Sequence, residues 1–364
     1  MISQGGPQRY ISDTEAYQEL PLFIQDLQVK RILFLHGSKS LAVAKPFLPS
    51  FGDNIEVIDI LFSGECTYDE IKRVQEIAFL HKVQMVVALG GGKVLDTAKS
   101  VTTGTLMYLV LIPTLASNCA PWSALSVHYK ENGEHFDHKV YKETANLMLL
   151  NPEVIMNSPV KYFVAGIADT LAKFYESQLI FEKLPEEEYT VALEISQQMA
   201  LKCKETLLKQ AIPAVEDMKA GRLSHIWRNV AETIIVTAGT VGGWGDAFAR
   251  STGAHAVHDA LTLFPQTIDL LHGEKVGYGI LVQLAIEKRF TEIKKLMPFY
   301  RKLGIPTNFS DLNLANLSET DINKIAEASA DKGTTMTLIP LPIDALQVKQ
   351  AMLQLEKITR ETEE

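Results

Sequence analysis

The run Met85–Ser100, MVVALGGGKVLDTAKS, constrains the fold more tightly than any other part of the chain. Met85, Val86, Val87, Ala88 and Leu89 are apolar without polar alternation, the pattern of a strand covered on both faces in a parallel sheet. Gly90, Gly91 and Gly92 follow, and successive glycines permit a sharp turn and a close backbone approach to a ligand. A helix pattern starts at once, with Val94, Leu95, Ala98 and Val101 on one face and Lys93, Asp96 and Lys99 on the other. Strand, turn and helix N-terminus together present N–H groups and the positive end of a helix dipole to an anion. The turn is neither GxGxxG nor a P-loop, so on its own it fits either a phosphate site or an ordinary strand-to-helix connection.

The surrounding sequence repeats this alternation. Arg31–Leu35, Ile55–Leu61, Val83–Leu89, Leu106–Ile112 and Leu147–Leu150 read as strands, and Ser40–Leu48, Tyr68–His81 and Val94–Thr102 read as helices between them. Such alternation implies right-handed crossovers and a Rossmann-like parallel sheet, with ligands at the carboxyl ends of its strands. From Pro159 onward the patterns are long and helical: Val160–Glu182, Glu186–Leu208, Leu223–Thr240 and Ser318–Ser329. Asn151-Pro152 and Pro159 mark the change, because a residue before proline resists helix. The fold class is therefore α/β plus all-α, with an α/β domain over residues 1–157 and a helical domain over 158–364. The charged ending EKITRETEE is expected to close a solvated C-terminal helix.

Composition excludes several functions. A net charge of −9 with no long basic run argues against nucleic acid or an anionic membrane as the main partner. The longest apolar run, Leu106–Ala116, is too short to span a bilayer, and the N-terminus lacks the apolar centre of a signal peptide. Cys66, Cys119 and Cys203 are odd in number and widely spaced, which fits a reducing cytoplasm rather than a disulfide framework.

Three segments of the helical half carry chemistry. Asp169 stands in small apolar company, His255 and His258 share a helix face at i and i+3, and His272 opens HGEK. One carboxylate and two imidazoles could hold a divalent metal with a position open to substrate, or they could be scattered hydrogen-bonded residues.

GGGKVLDTAK, IPTLASNCAPWSALSVHY, AGIADTLAKFYES, HAVHDALT and HGEKVGYG, in this order over about residues 83–280, resemble the glycerol dehydrogenase branch of the iron-type, metal-dependent alcohol dehydrogenases. The resemblance implies a dehydroquinate synthase-like arrangement: a dinucleotide-binding domain, a helical domain, and an active site between them where metal and nicotinamide meet. It assigns the diphosphate turn to Gly91, Gly92, Lys93 and Asp96 and the nicotinamide side to Thr114, Ser117, Ser123, Leu125 and Tyr129. It assigns a divalent metal, zinc or iron, to Asp169, His255 and His272. The loop between the two histidines is slightly shorter than the family's. His258 is then either a partner or proton relay for the metal site or a core histidine. Phe62–Cys66 matches a segment near the cofactor, although nothing in the sequence makes Cys66 reactive.

Three departures bear on substrate and coenzyme. Cys119 replaces an aspartate of the polyol enzymes, and Lys173 stands one turn after Asp169 where iron-binding members place a histidine. A negative charge is lost and a positive one gained, which favours a small 2-oxo or 2-hydroxy carboxylate and resembles the hydroxycarboxylate dehydrogenase subgroup. Lys173 could bind that carboxylate, form a plain i,i+4 pair with Asp169, or take the metal's place as the proton donor. The first strand ends in His36-Gly37-Ser38-Lys39 without the usual acid, so Gly37, Ser38 and Lys39 suit NADP(H), with NAD(H) also possible and Lys39 alternatively a solvated turn residue. The expectation is a cytoplasmic, homo-oligomeric NAD(P)-dependent dehydrogenase acting on a small molecule, with Lys173, His258 and Cys119 at the reacting centre. The alternatives are a metal-dependent glycerol or polyol dehydrogenase and a nucleotide-binding protein disabled at these positions.

Overall fold

The glycine turn closes an inner strand of a six-stranded sheet. The computed structural model describes residues 3–362. Its strands are β1 (Arg9–Ser12), β2 (Arg31–His36), β3 (Glu56–Leu61), β4 (Met85–Gly90), β5 (Tyr108–Pro113), β6 (Leu125–Tyr129), β7 (His135–Val140) and β8 (Leu147–Leu150). The sheet order is β1-β8-β5-β4-β2-β3 and every pairing is parallel, while β6 and β7 form a separate antiparallel hairpin.

The helices of the first half are α1 (Glu19–Asp26), α2 (Ser38–Ala44), α3 (Tyr68–Leu80), α4 (Gly92–Thr102) and α5 (Pro152–Met156). The second half consists of α6 (Val160–Lys183), α7 (Val191–Lys219), α8 (His225–Glu232), α9 (Ala238–Gly245), α10 (Gly253–Leu261), α11 (His272–Ile286), α12 (Phe290–Leu303), α13 (Glu319–Ser329) and α14 (Ala345–Glu361).

The unbroken apolar runs become strands because both their faces are covered. On β4, Met85, Val87 and Leu89 pack with Leu20, Phe23 and Ile24 of α1, whereas Val86 and Ala88 join a larger cluster on the opposite face. That cluster continues through Phe163, Ile167 and Leu171 of α6 into the helical half, so one apolar core crosses the chain's change of character. Asn151 marks that change by capping α5: its side chain accepts the Glu153 N–H at 2.9 Å, with Pro152 in the first helical turn. Among the described residues no helix is long and apolar enough to cross a membrane.

Several elements differ from the sequence reading. β1 is too short and polar to stand out, and it exists because it pairs with buried β8. β6 ends the segment matched as nicotinamide-side sequence, and β7 follows outside that match. The pattern over Leu223–Thr240 divides into α8, a π turn at Thr233–Thr237, and α9, which runs on to Gly245. The C-terminal helix is also less solvated than expected, since Leu355, Ile358 and Thr359 are buried and Arg301 donates to the Thr362 carbonyl at 2.6 Å. Glu363 and Glu364 of that ending lie outside the described residues.

Candidate active site

The glycine turn owes its composition to crowding, not to positive φ. Gly91 has φ −82° and serves as the N-cap of α4, whose first residue is Gly92. A Cβ on Gly91 would lie 2.9 Å from Leu115 Cδ1, and one on Gly92 would lie 2.8 Å from Asn118 Nδ2. The turn is thus pressed against the loop that follows β5, and both belong to the wall of a cavity of about 480 Å³.

Two buried charges fasten the hairpin and that loop to α4. Asp96 Oδ2 accepts the Val127 N–H at 3.1 Å, and its Oδ1 lies 2.8 Å from Lys99 Nζ. The Lys99 ammonium also donates to the carbonyls of Ala120 at 2.8 Å, Ser123 at 3.1 Å, and Leu125. The Asp96 carboxylate is thus committed to holding the loop, while the residue lines the cavity beside Gly91, Gly92 and Lys93. Lys93 stands at the cavity but pairs with Glu65 at 2.5 Å, which brings the segment Phe62–Cys66 up to the glycine turn. Its Nζ also lies 5.2 Å from the centre of the Tyr129 ring.

Across the cavity, Asp169 on α6, His255 on α10 and His272 at the start of α11 converge, with one ligand atom from each inside 4.8 Å. Asp169 Oδ1 lies 3.1 Å from His272 Nε2 and 3.5 Å from His255 Nε2. The close approach of α11 to α6 needs Gly273, because a Cβ there would lie 1.9 Å from the Ala165 carbonyl oxygen.

Each imidazole is oriented from behind. His255 Nδ1 lies 2.8 Å from Glu176 Oε2, and Glu176 Oε1 accepts the N–H groups of Thr252 at 2.7 Å and His255 at 3.0 Å. His272 Nδ1 lies 2.9 Å from His258 Nε2, whose Nδ1 lies 2.8 Å from Asp259 Oδ1. With protons on His255 Nδ1, His272 Nδ1 and His258 Nδ1, both Nε2 lone pairs face Asp169. That donor set suits a divalent cation.

The cluster attracts positive charge, which protons on the imidazoles or a divalent cation in their place can supply. Burial opposes an ionised Asp169, but His255 and His272 hold its carboxyl well below the usual range. Burial also opposes the His255 imidazolium, which Glu176 and Asp169 nevertheless lift to about 9, so the cluster favours a positive charge. Burial, reinforced by His272, pushes His258 down to about 3, leaving it a neutral acceptor.

Lys173 differs from two expectations. Its Nζ donates to the Arg250 carbonyl at 2.7 Å, and among the described residues it makes no ion pair with Asp169. Asp169 is already engaged by two histidines, so the i,i+4 geometry is not used, and the ammonium does not occupy the space between the three ligands. Burial lowers its pKa, but the negative charges near it, Asp169 and Glu176 among them, more than offset this and leave it above the ordinary lysine value. Burial raises the pKa of Cys119, leaving a neutral thiol.

Gly91, Gly92, Lys93, Asp96, Ser117, Cys119, Ser123, Leu125, Tyr129, Asp169, Lys173, His255, His258 and His272 all line the one cavity. Gly37, Ser38, Lys39 and Thr114 do not; they lie at the carboxyl ends of β2 and β5, where Thr114 Oγ1 donates to Ser40 Oγ at 3.3 Å. Sequence reasoning missed Glu176, Asp259 and Lys99. The signals were an acid seven residues after Asp169 on an apolar helix, an acid adjoining His258, and a lysine three residues after Asp96.

A parallel sheet that turns a glycine corner toward a carboxylate–imidazole cluster on packed helices is the fold of the iron-type alcohol and glycerol dehydrogenases. The chain belongs to the iron-containing alcohol dehydrogenase family and is an oxidoreductase. That family's sequence model matches residues 7–152. Hydroxycarboxylate dehydrogenase A of Escherichia coli K12 is 34% identical over 92% of this chain and 90% of its own length. A glycerol dehydrogenase of Thermotoga maritima is 31% identical over 86% of this chain and 85% of its own. In structure, a probable glycerol dehydrogenase of Sinorhizobium meliloti 1021 superposes with a TM-score of 0.88 at 28% identity, covering 99% of both chains.

Proposed function

We propose that the chain interconverts a small 2-oxo carboxylate and its 2-hydroxy acid, using NAD(P)(H) and a divalent metal. The observation that carries this reading is the buried Lys173 ammonium, which lines the same cavity as Asp169, His255 and His272 without pairing to Asp169. A buried cation beside a substrate site favours an anionic substrate, and the neutral Cys119 thiol adds no opposing charge. Similarity to a hydroxycarboxylate dehydrogenase supports the same choice.

When bound, the metal would polarise the substrate oxygen and the nicotinamide would carry the hydride. Asp169, His255 and His272 would hold the metal. Glu176 and the His258–Asp259 pair would keep both ligating Nε2 atoms unprotonated. Gly91 and Gly92 would admit the diphosphate to the N-terminus of α4, and Lys93 would stand beside it. The coenzyme edge carries groups for either dinucleotide. Ser38 and Lys39 suit a 2′-phosphate, whereas Asp59, exposed on β3 and 2.8 Å from His36 Nε2, suits ribose hydroxyls.

Initial rates with 2-oxobutanoate, 2-oxoglutarate and glycerol, each with both coenzymes, test the reading. Turnover of an oxo acid is expected; glycerol turnover with none on either oxo acid refutes it.

A further inference from the structure

We infer that Arg250 is a specificity-determining residue that, with Lys173, grips the substrate carboxylate. The inference rests on the oxo-acid reading and adds a second cation to it. Arg250 lies between α9 and α10, lines the cavity, and is only 12% exposed in its side chain. Its Nε lies 3.4 Å from Asp246 Oδ1, a long contact, and its Nη2 is buried without a hydrogen-bond partner. A buried guanidinium N–H left unmet is costly, so its retention calls for an acceptor supplied from elsewhere.

Lys173 reinforces the placement. It is 7% exposed, and its one hydrogen bond among the described residues goes to the backbone carbonyl of Arg250. The ammonium is thus fixed to the backbone of Arg250, both residues line the cavity, and the ammonium keeps two further N–H donors. The N-terminal amides of α10 are not the anion site, because Glu176 and Gln283 already accept the N–H groups of Thr252, Ala254 and His255. A carboxylate matches the unmet groups in charge and in shape, since guanidinium presents its donors as a planar fork. Its two oxygens can take one donor from Arg250 and one from Lys173, directing the adjacent oxo carbon toward Asp169, His255 and His272.

Arg250→Met and Arg250→Lys test this, using 2-oxobutanoate and butanal, an aldehyde with no carboxylate. In Arg250→Met, kcat/KM for 2-oxobutanoate should fall about 10- to 100-fold relative to kcat/KM for butanal, the loss appearing mainly in KM. Arg250→Lys should recover part of the loss. Calorimetric titration with 2-oxobutanoate should show a matching weakening of Kd, independent of turnover. An unchanged ratio between the two substrates overturns the inference, because a purely structural Arg250 would affect both alike. Wild-type protein that binds but does not reduce 2-oxobutanoate, with binding lost in Arg250→Met, leaves the carboxylate grip standing and refutes the oxo-acid reading. No binding by the wild type refutes both.

Discussion

At the scale of single residues, the site depends on which nitrogen of each imidazole carries its proton. Glu176 accepts from His255 Nδ1 and so turns Nε2, the proposed ligand atom, toward Asp169. Glu176→Gln would retain an acceptor for the backbone amides but can present an NH₂ group to Nδ1, favouring the tautomer with the proton on Nε2. Metal affinity, read by chelator competition, should fall about 10- to 100-fold; unchanged affinity would remove Glu176 from the account. The three candidate ligands, Asp169, His255 and His272, were legible because they sit in short motifs that keep their order along the chain. Glu176 and Asp259 were not, because an acid on a helix reads as solvated until packing buries it or sets it against a histidine.

At the scale of elements, close approach and anchoring matter most. Gly273→Ala would drive α11 from α6 against the Ala165 carbonyl and carry His272 away from Asp169. Denaturant titration should show a loss of about 1–3 kcal/mol or more, together with weaker metal binding. The segment that delivers Glu65 to Lys93 is held by Glu70, which accepts the Ser63 N–H at 3.0 Å and pairs with Arg73 at 2.6 Å. Burial disfavours the Glu70 carboxylate, but Arg73 and Ser63 more than compensate and lower its pKa in the folded protein. Its contribution is therefore full above the ordinary carboxylate pKa and is lost as pH falls through the lowered value. Arg73→Met should shift acid unfolding, followed by circular dichroism, to higher pH; an unshifted midpoint contradicts this. The buried strands were legible as apolar runs, and α4 as a periodic helix. β1 and the β6–β7 hairpin were not, because their polar positions find partners far away in the chain: Ser12 donates to Glu232 at 2.5 Å, and His128 Nε2 lies 3.1 Å from Ser100 Oγ on α4.

At the scale of the whole molecule, one cavity joins the carboxyl edge of the sheet to the helical half. The sheet edge contributes a glycine turn and a loop fixed by Lys99, while the helices contribute the ligand cluster, Lys173 and Arg250. The order of motifs implied this division, whereas the destination of the Lys173 ammonium could be settled only in three dimensions. Its bond to the Arg250 carbonyl keeps it from pairing with Asp169 and adds positive charge to the cavity wall. The central claim, preference for an oxo acid over a polyol precursor, is tested most directly by competition. Metal-loaded protein would receive reduced coenzyme with equal concentrations of 2-oxobutanoate and dihydroxyacetone, and the products would be quantified. The account predicts that 2-hydroxybutanoate predominates; glycerol as the main product would contradict it.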